Sequence, residues 1–392
     1  MAASSHESAR IAFHRVSLGD AEERAVLRVM RSGWLTTAHE ARQFEIEFAS
    51  AVGARHALAV SSATAGLHLA LEAVGVTAGS RVITSPYTFA ASSEVIRYLD
   101  ADPLFVDVRE DDLNIDPEAV EKALAGSQRV SAVLPIHIGG RACAIERIVA
   151  AAAERSVPVV EDAAHAFPAT TNGRSLGTWG SAGVFSFYAT KTMTTGEGGM
   201  IVTDDEALAR RASVLRLHGI DRDVWNRYTS ERPSWEYEIV DVGFKYNMPD
   251  LLAAIGRVQL TRADSFLADR RRVASIYNRE LADAGYLQLP DTADSACHLY
   301  VVRIRPERLT ITRDELMHRL ADQGIGTSLH YIPLHLMPYY RRRYGFSPAD
   351  FPVSLDAYQR AVSLPIYPDL TDEEADRVTR TIRSVCESRL AP

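Results

Sequence analysis

Lys191 stands between an apolar run, Gly183-Val184-Phe185-Ser186-Phe187, and a loop that ends Gly196-Glu197-Gly198-Gly199. An amine at such a junction can face a cavity, and a lysine whose pKa is lowered by burial attacks carbonyls to form a Schiff base. A lysine at a strand end is also an ordinary surface residue, so this stretch alone leaves both readings open. Asp162, in Glu161-Asp162-Ala163-Ala164-His165-Ala166, follows the apolar run Val157-Pro158-Val159-Val160. If buried, its carboxylate requires a cationic or hydrogen-bonding partner, which a structural salt bridge would also supply. Ser61-Ser62-Ala63-Thr64-Ala65-Gly66 opens a helical pattern with Leu67, Leu71 and Val74 on one face. Unsatisfied N–H groups and the helix dipole favour a phosphate there, although a plain Ser/Thr N-cap needs the same residues. Ser85-Pro86-Tyr87-Thr88-Phe89 brings aromatic rings to the end of another apolar run, where core packing would also use them.

The elements that carry these residues alternate. Leu58-Ala59-Val60, Val82-Ile83-Thr84, Leu104-Phe105-Val106, Val130 to Leu134 and Val157 to Val160 read as strands, with helices near 64–75, 89–99, 117–125 and 143–155 between them. Such alternation predicts an α/β fold, a mostly parallel sheet covered by helices, with function gathered at the carboxyl ends of the strands. Upstream, Asp20 to Arg31 reads as an amphipathic helix with Val26, Val29 and Met30 at helical spacing and Asp20 as its cap. A second helix follows with Phe44, Phe48 and Val52 on one face. Beyond Asp250 the alternation stops, and Leu252 to Phe266 reads as one long helix. The expected division is therefore an arm and large domain over 1–250, then a linking helix and smaller α+β domain over 251–392, with a strand at Leu299 to Val302 and a late helix from Asp372.

Composition narrows the class. The 392 residues are 46% hydrophobic and 24% charged, as in ordinary globular proteins, and the net charge of -8 offers nucleic acid no basic surface. Arg341-Arg342-Arg343 is too short a basic cluster to change that. Cys143, Cys297 and Cys386 lack disulfide or metal-ligand spacing, so no metal site is expected and a reducing cytoplasm fits. No apolar run reaches membrane-spanning length, and residues 1–14 carry no apolar leader core.

One ligand needs a phosphate cradle, a flat aromatic neighbour, a carboxylate for a ring nitrogen and a Schiff-base lysine: pyridoxal phosphate. The same residues resemble the DegT/DnrJ/EryC1/StrS family of sugar aminotransferases, which have the type I, aspartate-aminotransferase fold. The likeness runs through Ser32-Gly33-Trp34-Leu35-Thr36-Thr37, Ser62 to Leu71, Pro86 to Phe89, Glu161 to Ala166, Phe185 to Gly199, Gly243-Phe244-Lys245-Tyr246-Asn247-Met248 and Pro333-Leu334-His335. It implies that Lys191 holds the cofactor and moves the proton between cofactor and substrate carbons. Asp162 would keep the ring nitrogen protonated, and Ala63, Thr64 and Ser186 would hold the phosphate. Asn247 would reach that phosphate from the neighbouring subunit of a homodimer. Phe89 would lie on the ring, and His165 beside its hydroxyl, in a tautomer the sequence does not give. The implied reaction moves an amino group from an amino acid, L-glutamate first, to a nucleotide-linked keto sugar, with 2-oxoglutarate as the other product. Lys245-Tyr246-Asn247 resembles enzymes acting on 4-keto sugars, here a 4-keto-6-deoxy sugar. A keto-cyclitol aminotransferase and a non-catalytic regulator on the same fold are the rival readings. His330, Tyr331 and His335 are candidates for the sugar side, and the loop 221–237 for a substrate or dimer contact.

Overall fold

The computed structural model describes residues 10–126, 129–221 and 237–391. The loop singled out above, with Trp225, Tyr228 and Trp235, lies almost wholly outside the described residues. Helices α1 (Asp20–Ser32) and α2 (His39–Val52) lead into an alternating series. It runs β1 (His56–Val60), α3 (Ala63–Ala73), β2 (Arg81–Thr84), α4 (Ala91–Tyr98), β3 (Asp102–Phe105), α5 (Pro117–Ala125), β4 (Ala132–Val133), α6 (Ile145–Ala153) and β5 (Val160–Asp162). A short hairpin, β6 (Thr170–Thr171) and β7 (Arg174–Ser175), precedes β8 (Ala182–Ser186), β9 (Gly199–Thr203) and α7 (Glu206–Leu215).

The strands form two ladders, β1-β9-β8-β5 and β3-β2-β4. Parallel bridges Val133 to Val159 and Ile136 to Asp162 join them at β4 and β5 into one mixed sheet. Among the described strands of this sheet, only β9 runs against its neighbours. Strands covered by helices on both faces must be apolar throughout, as β9 is: all five of its residues are buried. A second, antiparallel sheet joins Leu287–Gln288, Tyr300–Ile304 and Ala361–Leu364. Its core, with Val302, Val362, Val378 and Ile382, also takes in Ile11 from the N-terminal arm.

Several boundaries differ from the sequence reading, each for a local reason. Asp20 is the first helical residue, and Gly19 takes the cap position with its N–H donated to the Glu22 carboxylate at 3.0 Å. Met30 is exposed, whereas Val29 packs inward. The expected helix over 252–266 is two helices, Asp250–Thr261 and Ala263–Glu280, which break at Arg262. Arg262 turns toward the arm instead, donating to Glu22 at 2.7 Å. The N-terminus of α2 has no side-chain cap of its own. Asp250 supplies one from 209 to 212 residues away, accepting from Ala38, Glu40 and Ala41 N–H.

Register explains how the sheet presents its ligand-facing end. Gly199 of β9 pairs with Val60 on one side and Ser186 on the other. A Cβ on Gly199 would fall 2.6 Å from the Ala63 nitrogen, so only glycine lets α3 begin directly against the strand. Gly199→Ala should therefore destabilise the protein by about 1–3 kcal/mol, measured by denaturant unfolding, because the obstructing atoms are backbone and cannot swing aside.

Candidate active site

Lys191 lies in the loop between antiparallel strands β8 and β9. The Phe187 N–H donates to Gly198 at 2.9 Å, closing the loop, and the Lys191 N–H donates to Tyr188 at 2.9 Å, forming a turn inside it. From behind, Gln259 accepts the Thr194 N–H at 3.3 Å. These contacts fix a half-buried lysine at the carboxyl end of the sheet. Burial pushes its amine down to about 8, against the opposing pull of Asp162. A substantial neutral, nucleophilic fraction therefore exists near neutral pH.

Asp162 ends β5 and is 5% exposed. One carboxylate oxygen accepts from Ser92 Oγ at 2.7 Å and the other from the Ala164 N–H at 3.1 Å. Ser92 is itself hydrogen-bonded to Thr88 Oγ1 at 2.9 Å. Burial nevertheless holds the carboxyl above its usual range, with Ser92, Ala164 and Lys191 pulling the other way. Two neutral donors leave a buried carboxylate short of positive charge, and a protonated ring nitrogen would supply it.

His165 lies near both groups. The Gly139 N–H donates to its Nδ1 at 3.3 Å, which assigns Nε2 as the protonated nitrogen facing Tyr331 OH at 3.0 Å. Its ring stacks on Tyr331 and lies 4.4 Å from that of His298. Burial, then Lys191, drives the His165 imidazole well below its ordinary value. His298 is held down by burial and His165, and His330 is pushed to about 4 by burial and Lys191. The histidines around Lys191 are thus neutral, and no group of metal-ligating residues occurs among the described residues.

The α3 N-terminus forms the remaining wall. Ser62 Oγ caps the Ala65 N–H at 3.1 Å and the Ser62 carbonyl accepts from Gly66 at 3.0 Å. No acceptor for the Ala63 or Thr64 N–H occurs among the described residues, so two donors remain at the positive end of a helix. Ser186 adjoins them through Gly199, with its hydroxyl accepting from the Tyr188 N–H at 3.3 Å. Phe89 is 61% exposed and its ring is 6.2 Å from Tyr331. Together these donors, the buried carboxylate and the open aromatic fit pyridoxal phosphate. When bound, that cofactor supplies an electron-withdrawing ring that stabilises negative charge on a substrate carbon.

Two further expected members have contacts of their own. Asn247 bridges to Val60 at the end of β1, donates to Thr37 Oγ1 at 2.5 Å and accepts from Lys245. It lines a cavity of about 380 Å³ with Thr37, Arg42, Arg210 and Arg216, and Lys191 is not among the residues lining it. His335 is fully buried against Phe351, whereas Tyr331 reaches His165.

The family model for DegT/DnrJ/EryC1/StrS aminotransferases matches residues 16–383. The chain belongs to that family. It is 44% identical over 372 residues to the spore coat polysaccharide biosynthesis protein SpsC of Bacillus subtilis, covering 94% of this chain and 95% of that one. Among solved structures, it resembles the putative sugar aminotransferase Spr1654 of Streptococcus pneumoniae in its PMP form. There the TM-score is 0.90, with 28% identity and coverage of 96% of this chain and 99% of that one. It likewise resembles Helicobacter pylori PseC, an aminotransferase involved in the biosynthesis of pseudoaminic acid, with TM-score 0.88, 26% identity, and 97% and 100% coverage. The Spr1654 protein was also solved in a PLP form. The protein is accordingly a pyridoxal-phosphate-dependent aminotransferase with the mixed α/β fold of these enzymes.

Sequence reasoning missed the groups behind Asp162. Ser92 carries no local signal, because helix α4 presents it to a strand 70 residues away. Glu161 and His137 were findable, since each follows an apolar run in the sequence, Val157 to Val160 and Val130 to Leu134. Their side chains meet at 2.9 Å, fully buried, and Glu161 also accepts N–H groups of Gly177, Trp179 and Gly180.

Ser92→Ala should weaken cofactor retention about 10- to 100-fold, the equivalent of one hydrogen bond to a charged group, measured by equilibrium dialysis. Covalent uptake of pyridoxal phosphate by cofactor-free protein should quicken as pH rises and level off above about 8. Because Asp162 raises the lysine pKa, Asp162→Asn should shift that inflection to lower pH; an unmoved inflection would sever the two groups.

Proposed function

We propose that this aminotransferase moves an amino group from L-glutamate to a nucleotide-linked keto sugar, a 4-keto-6-deoxy sugar in particular, releasing 2-oxoglutarate. The observation that carries the reading is the pair at the sheet's end: a lysine pushed down to about 8 and a buried carboxylate, with neutral His165 alongside. In this reading Lys191 is the covalent anchor and proton carrier, and Asp162 keeps the ring nitrogen charged. Ala63, Thr64 and Ser186 hold the phosphate, Phe89 covers the ring, and His165 serves its hydroxyl. The sugar class is supported by the relatives, one named for polysaccharide biosynthesis and another for pseudoaminic acid. The 4-keto position is supported by the Lys245-Tyr246-Asn247 sequence.

The chain works, in this reading, as a homodimer with shared sites, Asn247 serving the partner's phosphate. Ile239, Val240 and Val242 support that surface, being 55 to 82% exposed apolar residues a few positions before Asn247. The architecture is assigned to the type I fold, divided into 1–250 and 251–392. The compartment is assigned as cytoplasmic, which three free, buried cysteines suit. Nucleic acid and membranes are not partners in this reading, and no helix among the described residues is long and apolar enough to cross a membrane.

The test is a panel of nucleotide 3-keto and 4-keto sugars and keto-cyclitols with glutamate, followed by mass of the amino product. The reading predicts an amino sugar nucleotide from a 4-keto substrate. Aminated cyclitol alone would replace the sugar assignment, and wild-type protein that never binds pyridoxal phosphate would leave a non-catalytic regulator. Lys191→Ala should lose both the lysine-bound cofactor absorbance and the product.

A further inference from the structure

The helix Ala263–Glu280 carries Arg270 into the interior, where it is 1% exposed. Its Nη1 donates to three backbone carbonyls, Ile366 at 2.9 Å, His298 at 3.3 Å and Cys297 at 3.4 Å. Its Nε and Nη2 find no acceptor among the described residues. Burial pushes the guanidinium down to about 10, with only the Cys297 thiol acting the other way, so it stays cationic at neutral pH. Buried charges are ordinarily paired, and a guanidinium buried without a counter-charge is costly.

The unpaired atoms make a specific shape. Nε–H and Nη2–H form the side edge of the guanidinium fork, which receives a carboxylate or a single spherical anion. Arg270 lines a cavity of about 10 Å³, room for one water-sized group, shared with Lys191, Thr192, Thr194, Gln259 and His14. Arg15 lines it as well, and no Asp or Glu among the described residues does. His14 adds no charge of its own, because burial and then Arg270 hold it neutral, pushed down to about 4, with Nε2 engaged at the Ala189 carbonyl at 2.9 Å.

We propose that this cavity is a binding site for one small monovalent anion of halide or carboxylate-oxygen chemistry, held on the Nε and Nη2 edge of Arg270. Two sources present that chemistry: a free ion from solution, or the carboxylate of the amino donor, the second resting on the function proposed above. In either case negative charge beside Lys191 favours its protonated form and opposes the effect of burial.

The test uses the pyridoxal-phosphate-loaded enzyme in halide-free buffer at constant ionic strength. Bromide should raise the unfolding temperature saturably, as a ligand of the native state does. Arg270→Met should abolish that dependence. If that variant does not fold, crystals of the wild-type enzyme soaked in bromide decide, with anomalous density expected at the Nε and Nη2 edge. Bromide that raises the half-saturating glutamate concentration, about tenfold at ten times its own dissociation constant, with an unchanged maximal rate, identifies the donor carboxylate. Bound bromide without competition identifies a free-ion site. A flat unfolding temperature together with no bromide density at Arg270 would overturn the proposal. Bromide binding in a protein that transfers amino groups to no acceptor would instead discard the assigned reaction and leave the site standing.

Discussion

Desolvation at the carboxyl end of the large sheet is the constraint on which the rest of the structure depends. Burial pushes the Lys191 amine and the Asp162 carboxyl toward their neutral forms, while their mutual attraction favours the charged ones. Neither effect cancels the other, and the result is a lysine poised near 8 opposite a carboxyl held above its normal range. A solvent-exposed pair would attract only weakly and would leave the lysine protonated. The surrounding histidines are kept neutral by the same burial, so they add hydrogen bonding without adding charge.

Holding a carboxylate in such a place requires rigid support. Asp162 is fixed through its backbone, donating to Pro135 at 2.9 Å and accepting from the His137 N–H at 3.2 Å. The neighbouring Glu161 accepts four donors and ties β5 to the turns at 137 and 177–180. The first of those turns contains Gly139, whose N–H sets the tautomer of His165. One buried carboxylate thus anchors the strand that carries Asp162 and the turn that orients His165. Gly140 allows the close approach, since its φ is +91° and a Cβ would meet the His165 carbonyl at 2.7 Å.

Much of this was legible in the sequence because strand ends are marked by apolar runs that stop. Lys191, Asp162 and the Ser62 helix start were each found at such a stop, and the structure brings Asp162, His165 and Lys191 within electrostatic reach of one another. Contacts across long separations were hidden. Ser92 reaches Asp162 from a helix face, Tyr331 reaches His165 across 166 residues, and Asp250 caps a helix from more than 200 residues away. The break at Arg262 was invisible because the apolar spacing continues through it, while the chain turns where Arg262 pairs with Glu22. Asn247 illustrates a different limit: in one chain its partners are Thr37 and Lys245, and its expected role concerns a second subunit.

The central claim is that burial opposite Asp162 makes Lys191 the covalent anchor. Borohydride reduction of the cofactor-loaded protein, followed by proteolysis and mass spectrometry, tests it most directly. The account predicts that the reduced cofactor appears on the peptide containing Lys191 and on no other lysine, and that Lys191→Ala carries no label. Label on any other lysine, or none on a protein that still holds the cofactor, would contradict it.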